Sequence, residues 1–249
     1  MTSEALQGVF RSLRLYHGAD APKAAMDTLY GQFLRPGDLA FDIGAHAGDR
    51  ISSFRRLDAK VVALEPQPLM LRALRLIHGR DPAVMLLGAA AAAEVGEFIL
   101  HVNRRNPTVS TLSDAFMFEA GIAAGWEGQT WDDALTVPAV TLDRLIKAFG
   151  PPAFTKIDVE GFEDEVLAGL TQALPALSFE FTTIARDVAL RCIEKLGTLG
   201  MYRYDVAIGE SQRLTFGKWI SAAEMSYHLT RLPHEANSGD VFAVSVDYQ

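Results

Sequence analysis

LAFDIGAHAG, residues 39–48, runs apolar as far as Asp42 and then breaks into a glycine loop. A continuous apolar run is typical of a parallel strand that is covered on both faces of its sheet. Gly44 and Gly48 allow a sharp turn and let the backbone come close to a ligand. The free amide groups of the helix that follows add hydrogen-bond donors. We therefore predict a buried strand whose carboxyl end carries a binding loop.

The alternation of strand and helix continues along the chain and predicts the fold class. Further apolar runs read as strands, at residues 60–65, 83–89, 154–160, 176–181, 201–207 and 240–246. Amphipathic helical patterns separate most of these runs, which is typical of an α/β fold with a doubly wound, mostly parallel sheet. We expect the last two runs to form an antiparallel edge and to be joined by an irregular connection.

Two parts of the chain depart from this pattern. Residues 1–36 are predicted to form a helical extension ahead of a single domain at 37–249. The stretch between Ala89 and Ala153 is much longer than the roughly 10 to 12 residues that a crossover needs. Within it we predict an insertion at about 97–150, with additional strand and helix. Such an insertion beside the carboxyl ends of the strands is well placed to form a substrate wall.

Composition and charge exclude several classes of function. The 249 residues are 49% hydrophobic and 22% charged, which is typical of a packed protein. The formal net charge of -8 argues against nucleic acid as a partner, because phosphate backbones require clustered Lys and Arg. Cys192 is the only cysteine, and no cluster of His, Asp and Glu has metal-ligand spacing, so no metal site is predicted.

The sequence also predicts where the protein acts. Its N-terminus lacks the pattern of a signal peptide, and no apolar run reaches the roughly 20 residues that a membrane span requires. We expect a cytoplasmic protein that acts on a small molecule, without a membrane or a nucleic acid as partner. The oligomeric state is left open.

The acids that end the first two strands indicate the kind of ligand. The spacing Asp42-x-Gly44-x-x-x-Gly48 differs from the G-x-G-x-x-G of dinucleotide sites and from phosphate loops. An acid at position 42 is unfavourable beside phosphates but suits an ammonium group. Glu65 can accept hydrogen bonds from both hydroxyls of a ribose. S-adenosylmethionine carries both groups and is the predicted cofactor. In the alternative interpretation, Asp42 caps a turn and Glu65 pairs with a surface cation.

Six segments, taken in order along the chain, resemble the FkbM family of S-adenosylmethionine-dependent methyltransferases. They are FDIGAHAGDR, VVALEPQP, NPTVSTL, VTLDRL, KIDVEGFE and LSFEF, within roughly residues 35–183. The resemblance implies a Rossmann-like class I methyltransferase fold, EC class 2.1.1, and acceptors that are usually sugar or secondary-metabolite hydroxyls. Members of this family typically have Asn at the position of His46.

The resemblance also implies which residues surround the cofactor. The methionine part of the cofactor is assigned to Asp42, Gly44, His46 and Gly48. The ribose is assigned to Glu65, with Pro66 beside it, and the adenine to Gly88 and Ala89.

The acids of KIDVEG are the candidate catalytic groups. A period of two places Lys156, Asp158 and Glu160 on one side of the strand, where three charges are costly unless they are paired or used. We predict that Asp158, or next Glu160, takes the proton of an acceptor hydroxyl. His46 and Glu180 are further candidates. Alternatively, Lys156 forms an ion pair with Glu180, and Asp158 accepts the amides of the loop that begins at Gly161.

The loops at residues 103–135 are expected to shape the acceptor pocket. The polar contacts that we predict there are Asn106, Thr108, Ser110 and Thr111, with Glu180 as an acid on the substrate side. The favoured function is O-methylation of a sugar or metabolite hydroxyl. N-methylation of a small amine or amide, and cofactor binding without turnover, are the alternatives, and His46 favours the second of these. A nucleotide-dependent oxidoreductase is a further alternative.

Overall fold

The computed structural model of the protein describes residues 3–18 and 23–248. The strands within these residues are β1 Leu39–Ile43, β2 Lys60–Leu64, β3 Val84–Leu87, β4 Ala90–Ala91, β5 Gly96–Val102, β6 Asp133–Val140, β7 Phe154–Ile157, β8 Ala176–Thr182, β9 Tyr202–Ile208 and β10 Ser238–Ser245. The α-helices are α1 Ser3–His17, α2 Lys23–Tyr30, α3 Asp49–Arg56, α4 Pro68–His78, α5 Asp114–Ile122, α6 Leu142–Phe149, α7 Glu163–Ala168, α8 Arg186–Leu199 and α9 Ala222–Arg231.

Seven strands form one sheet in the order β3-β2-β1-β7-β8-β10-β9. The five strands from β3 to β8 in this order run parallel to one another. The strand order reverses between β1 and β7, and ligands of doubly wound sheets bind beside the carboxyl ends of the strands at such a point. The predicted α/β fold with a mostly parallel, doubly wound sheet is confirmed.

The antiparallel strand that we predicted at the end of the sheet is β10. It pairs antiparallel with β8 on one side and with β9 on the other, so it lies one place in from the edge and all of its backbone groups can join a ladder. The connection between β9 and β10 contains α9, whose start is fixed by a capping box between Ser221 and Glu224. The expectation of an irregular connection was therefore wrong.

Helices cover both faces of the sheet. On one face, α2 and α3 pack over an aromatic cluster formed by Tyr30, Phe33, Phe54, Phe154 and Phe242. The other face is covered by the helices that follow β6, and its core contains Ile43, Ile157, Phe179, Leu167 and Leu196. Because both faces are buried, the strands read as continuous apolar runs.

The predicted extension and insertion have their own elements. Residues 1–36 contain α1 and α2, and the part of this prediction that falls on residues 1–2 and 19–22 lies outside the described residues. In the insertion, β4, β6 and β5 form a small second sheet. The segment that we read as a loop near residue 114 instead begins α5, which Ser113 caps by accepting a hydrogen bond from the Phe116 amide. The division into an extension and a domain stays a prediction.

Among the helices of the described residues, none has both the length and the apolar character that crossing a membrane would require.

The aromatic cluster is expected to contribute strongly to stability. Phe154 is fully buried, and its ring packs against four other aromatic rings. Phe154→Ala should therefore lower the free energy of unfolding by about 3–5 kcal/mol, measured by urea denaturation. Phe118→Ala is the control, because that side chain is 67% exposed, and it should change stability by less than about 0.5 kcal/mol. Equal losses in the two variants would contradict this role of the cluster.

Candidate active site

A cleft of about 850 Å³ opens where the strand order reverses. Its walls are the loops that follow β1, β2, β3 and β7, together with the insertion and α1. Of the residues predicted for a ligand site, those that line it are Asp42, Gly44, His46, Glu65, Pro66, Ala89, Thr108, Ser110, Thr111, Asp158 and Glu160.

Four predicted residues, Gly48, Gly88, Asn106 and Glu180, do not line the cleft. A Cβ atom on Gly48 would lie 2.5 Å from Leu74, and one on Gly88 would lie 2.8 Å from Leu71, so both glycines face α4. The Asn106 side chain is 3.4 Å from Gln129 within the insertion. The two glycines thus pack against a helix, and Asn106 contacts another side chain of the insertion.

The loops after β1 and β7 touch at Gly44. This glycine has a φ of +87°, and a Cβ atom there would lie 1.8 Å from the carbonyl oxygen of Asp158. The amide of Asp158 in turn donates to the carbonyl of Ile43, at 2.9 Å. Only glycine fits this approach, which brings Asp42 and Asp158 to the same end of the cleft.

Asp42 presents a buried carboxylate to the cleft. Its residue is 2% exposed, and its Oδ2 atom has no hydrogen-bond partner among the described residues. Burial, reinforced by the negative charge of Asp49, raises the pKa of Asp42 to about 7. An oxygen of this kind favours a cationic hydrogen-bond donor, such as an ammonium group.

Glu65 links the loops after β1 and β2. Its Oε2 atom accepts the amide of His46 at 2.8 Å, and its Oε1 atom accepts the amide of Gln67 at 2.7 Å. Burial raises the pKa of Glu65 to about 7, although these two amides act in the opposite direction. The alternative of a surface ion pair is wrong, because Glu65 is 2% exposed and its partners are backbone amides. Each carboxylate oxygen keeps a second lone pair for a ligand hydroxyl.

His46 lies between α1 and the insertion. Its ring packs edge-on against Tyr16, with 5.4 Å between ring centroids, and its Nε2 atom is 3.5 Å from the Thr108 hydroxyl. Burial lowers the pKa of His46 to about 4, so the imidazole is neutral at neutral pH. A neutral ring adds no charge to a ligand at this position.

The hydroxyl groups predicted for the acceptor differ in their freedom. The Ser110 hydroxyl donates to Gln67 at 3.2 Å, and the Thr111 hydroxyl donates to the carbonyl of Glu160 at 2.7 Å. These two groups therefore hold the insertion against the loops after β2 and β7. Among the described residues, the Thr108 hydroxyl has only a long contact of 3.5 Å with His46, so it is the hydroxyl best placed to turn toward a ligand.

Lys156 is the buried cation at the floor of the site. Its ammonium lies 2.9 Å from Asp158 and 2.8 Å from Asp240, and its side chain is 1% exposed. The alternative of an ion pair between Lys156 and Glu180 is wrong, because the strand register places Asp240 opposite Glu180 and Lys156 reaches Asp240 instead. Burial acts to raise the pKa of Asp158, but the Lys156 ammonium outweighs it and lowers that pKa overall.

The loop that begins at Gly161 is held by Glu163, not by Asp158. The Glu163 carboxylate accepts the amides of Val159 and Gly161, at 3.0 Å and 3.2 Å. The alternative role that we gave to Asp158 is thus filled by the first turn of α7, and the Asp158 side chain stays directed toward Lys156 and the cleft.

Three carboxylates meet where β7 and β8 end. Asp158, Glu160 and Glu180 each offer an oxygen, and these oxygens lie within 4.8 Å of one another. Glu160 is 7% exposed, and its carboxylate has no hydrogen-bond partner among the described residues. Burial and the neighbouring negative charges raise the pKa values of Glu160 and Glu180 well above the ordinary value.

Sequence reasoning missed several residues of the cleft. Arg50 pairs with Asp49 and, at 3.2 Å, with Glu210 from the loop after β9. Gln67 reaches from the loop after β2 to the carbonyl of Pro107, at 3.0 Å. Tyr16 enters from α1. For Asp240, the available signal was an acid at the start of an otherwise apolar strand segment. The partners of Arg50 and Tyr16 are distant in sequence and leave no local pattern.

Comparison with known proteins places this site in a family. The sequence model described as the methyltransferase FkbM domain matches residues 42–191. The hexuronic acid methyltransferase AglP of Haloferax volcanii is 26% identical over 162 residues, which are 64% of this chain and 61% of that protein. The match thus spans about three fifths of the length of the curated relative.

Two of the solved structures that this chain resembles are methyltransferases at low identity. A TehB-like SAM-dependent methyltransferase from Corynebacterium glutamicum has a TM-score of 0.47 at 10% identity, with 95% of this chain and 94% of that chain covered. A precorrin-6y C5,15-methyltransferase from Geobacter metallireducens has a TM-score of 0.45 at 14% identity, with 89% and 86% covered.

The raised pKa of Asp42 predicts a pH-dependent cost to stability. Because the folded protein holds this proton up to about pH 7, and an unfolded Asp loses it near pH 4, stability falls as the pH rises through that window. Asp42→Asn should therefore raise the Tm of the ligand-free protein by several degrees at pH 8 and by much less at pH 5. Calorimetry at both pH values measures this, and an equal shift at pH 5 would contradict the buried-charge explanation.

Proposed function

The chain belongs to the FkbM methyltransferase family, and we propose that it transfers the methyl group of S-adenosylmethionine to a hydroxyl of a sugar or secondary metabolite. The observation that carries this proposal is the pair of buried acids, Asp42 and Glu65, that closes β1 and β2 at one cleft. Asp42 suits the ammonium group of an adenosyl amino acid, and Glu65 suits its ribose. A dinucleotide has the ribose but no ammonium group.

The residues of the cleft fit this cofactor group by group. The open Oδ2 atom of Asp42 suits the ammonium of the methionine part. Glu65, held rigid by two amides, suits the ribose hydroxyls. The segment from Ala89 to Ala91 lines the cleft with small side chains next to Leu100, which suits a flat apolar ring. When bound, the cofactor supplies an electrophilic methyl group on a sulfonium.

Asp158 and Glu160 support different roles at the acceptor. The Lys156 ammonium holds Asp158 in its ionised form, so Asp158 is a weak base and a rigid hydrogen-bond acceptor that orients a hydroxyl. Glu160 has no such partner and a raised pKa, which makes it the stronger base. With the electrophilic methyl group of the cofactor bound beside it, an acceptor hydroxyl would be oriented by Asp158 and would give up its proton to Glu160.

A sugar acceptor is supported by the curated relative, which is named for a hexuronic acid. The cleft also has the makeup that polyhydroxylated ligands need, since acids and amides alternate with small apolar residues along its wall. Arg50 and Lys156, the cations of this wall within the described residues, are each already paired with two carboxylates. The proposal therefore concerns the hydroxyls of the sugar as methyl acceptors.

Cofactor binding is tested first. Isothermal titration with S-adenosylhomocysteine should show one site, and Glu65→Gln should weaken binding by about tenfold or more, because a charged hydrogen-bond acceptor for the ribose is lost. Glu194→Gln, on the exposed side of α8, is the matched control and should leave the affinity unchanged. Absence of binding to the unaltered protein would overturn the proposed function.

The proton acceptor is tested by turnover. With the best acceptor from a panel of methyl glucosides and glucuronides, Glu160→Gln should lower kcat on the order of a hundred- to ten-thousandfold while affinity for S-adenosylhomocysteine is retained. Asp158→Asn is compared in the same assay and should also raise KM, since Asp158 orients the acceptor. Nearly full turnover by Glu160→Gln would favour an amine acceptor, which needs no strong base. Cofactor binding without turnover on any acceptor would favour a binding protein.

A further inference from the structure

We propose that Asp158, Glu160 and Glu180 bind a divalent cation of the hard, oxygen-seeking type, Mg²⁺, Ca²⁺ or Mn²⁺. The use of this ion in methyl transfer rests on the proposed function, whereas the site itself rests on the three side chains. Asp158 and Glu160 follow β7, and Glu180 comes from the adjacent strand β8. The three ligands therefore come from two neighbouring central strands, near their carboxyl ends.

The geometry of the three carboxylates matches such an ion. One oxygen from each residue lies within 4.8 Å of the other two. Oxygen ligands of Ca²⁺ lie at about 2.3–2.6 Å from the ion, so two ligands of one ion are at most about 5 Å apart. The three oxygens can therefore reach one ion with small side-chain movements. Hard divalent cations also prefer carboxylate oxygens to the imidazole and thiolate groups that this group of three acids lacks.

A separate observation points to a missing partner. Glu160 is 7% exposed, its ligand oxygen is directed into the group, and no described residue donates a hydrogen bond to its carboxylate. The Oε2 atom of Glu180 is likewise out of contact with solvent and without a hydrogen-bond partner. Buried carboxylate oxygens without donors are costly, and a cation removes that cost.

The one nearby ammonium does not supply this partner. Lys156 lies between Asp158 and Asp240 and is within ion-pair distance of both. Its hydrogen bond goes to Oδ2 of Asp158, which leaves the other oxygen of that residue for the ion. Lys156 therefore balances only part of the charge that the three acids carry when ionised, and a divalent cation would balance the rest.

A cation at this place would meet the acceptor. Asp158 and Glu160 line the cleft, while Glu180 is not among its lining residues, so the open coordination positions face the bound acceptor. An ion there would orient a hydroxyl oxygen and lower the pKa of its proton. The ion would therefore act directly on the acceptor hydroxyl.

The site is tested with the metal alone. Protein is treated with EDTA, desalted and titrated with Mn²⁺ while free Mn²⁺ is followed by electron paramagnetic resonance. We expect one site with a Kd below about 1 mM, from which Mg²⁺ or Ca²⁺ displaces Mn²⁺. Glu180→Gln and Glu160→Gln should each weaken binding by about tenfold or more. Two variants are used so that failure of one to fold, checked by its Tm, leaves the other.

Glu210→Gln is the matched control for the metal titration. It removes the same charge from the same cleft, but Glu210 pairs with Arg50 and lies outside the group of three acids. Its Mn²⁺ affinity should stay within about twofold of the unaltered protein. The proposal is overturned if Mn²⁺ shows no saturable binding, or if Glu210→Gln weakens binding as much as Glu180→Gln does.

Failure of this proposal can be told from failure of the proposed function. Titration of the EDTA-treated protein with S-adenosylhomocysteine tests the cofactor site, because Asp42 and Glu65 lie outside the group of three acids. Binding there together with absent Mn²⁺ binding overturns only the metal site. Turnover that is unchanged in EDTA overturns the catalytic use of the ion. Turnover that falls in EDTA and returns with Mg²⁺ supports it.

Discussion

The contact between the loops after β1 and β7 is the constraint on which the site depends. A reversal of strand order makes these two loops neighbours, and the absence of a side chain at Gly44 lets them meet at the backbone of Asp158. That contact places Asp42, Asp158 and Glu160 around one cleft. Under the proposed function, a methyl donor and its acceptor would have to come within van der Waals distance in a line, and loops held this closely would favour that arrangement.

The distribution of buried charge follows from the same arrangement. Lys156 is shared between Asp158 and Asp240, and Arg50 is shared between Asp49 and Glu210, so both cations of the cleft wall are engaged. Asp42 and Glu160 are left without a cation. Such a site is poorly stable when empty, because buried carboxylates lose hydration without gaining a partner, and ligands recover that loss on binding.

The insertion completes the cleft through side-chain hydrogen bonds. Gln67, Ser110 and Thr111 join it to the loops after β2 and β7 by hydrogen bonds, so its position relative to the sheet is fixed at several points. Thr108 of the insertion and Tyr16 of α1 both contact His46 in the cleft. This part of the site differs from the sheet-borne part, since its side chains come from segments that share no periodic pattern.

The strands, their parallel order and the acids at their ends were predictable from the sequence, because apolar runs that stop at Asp42, Glu65 and Asp158 report burial that is local to each strand. Three features were decided only by the tertiary structure. Gly48 and Gly88 face α4, Lys156 pairs with Asp240 rather than with Glu180, and β10 lies inside the sheet. Each of these depends on the packing of segments that are far apart in the chain. Periodicity and spacing record which face of an element is buried, but they do not record which distant element buries it.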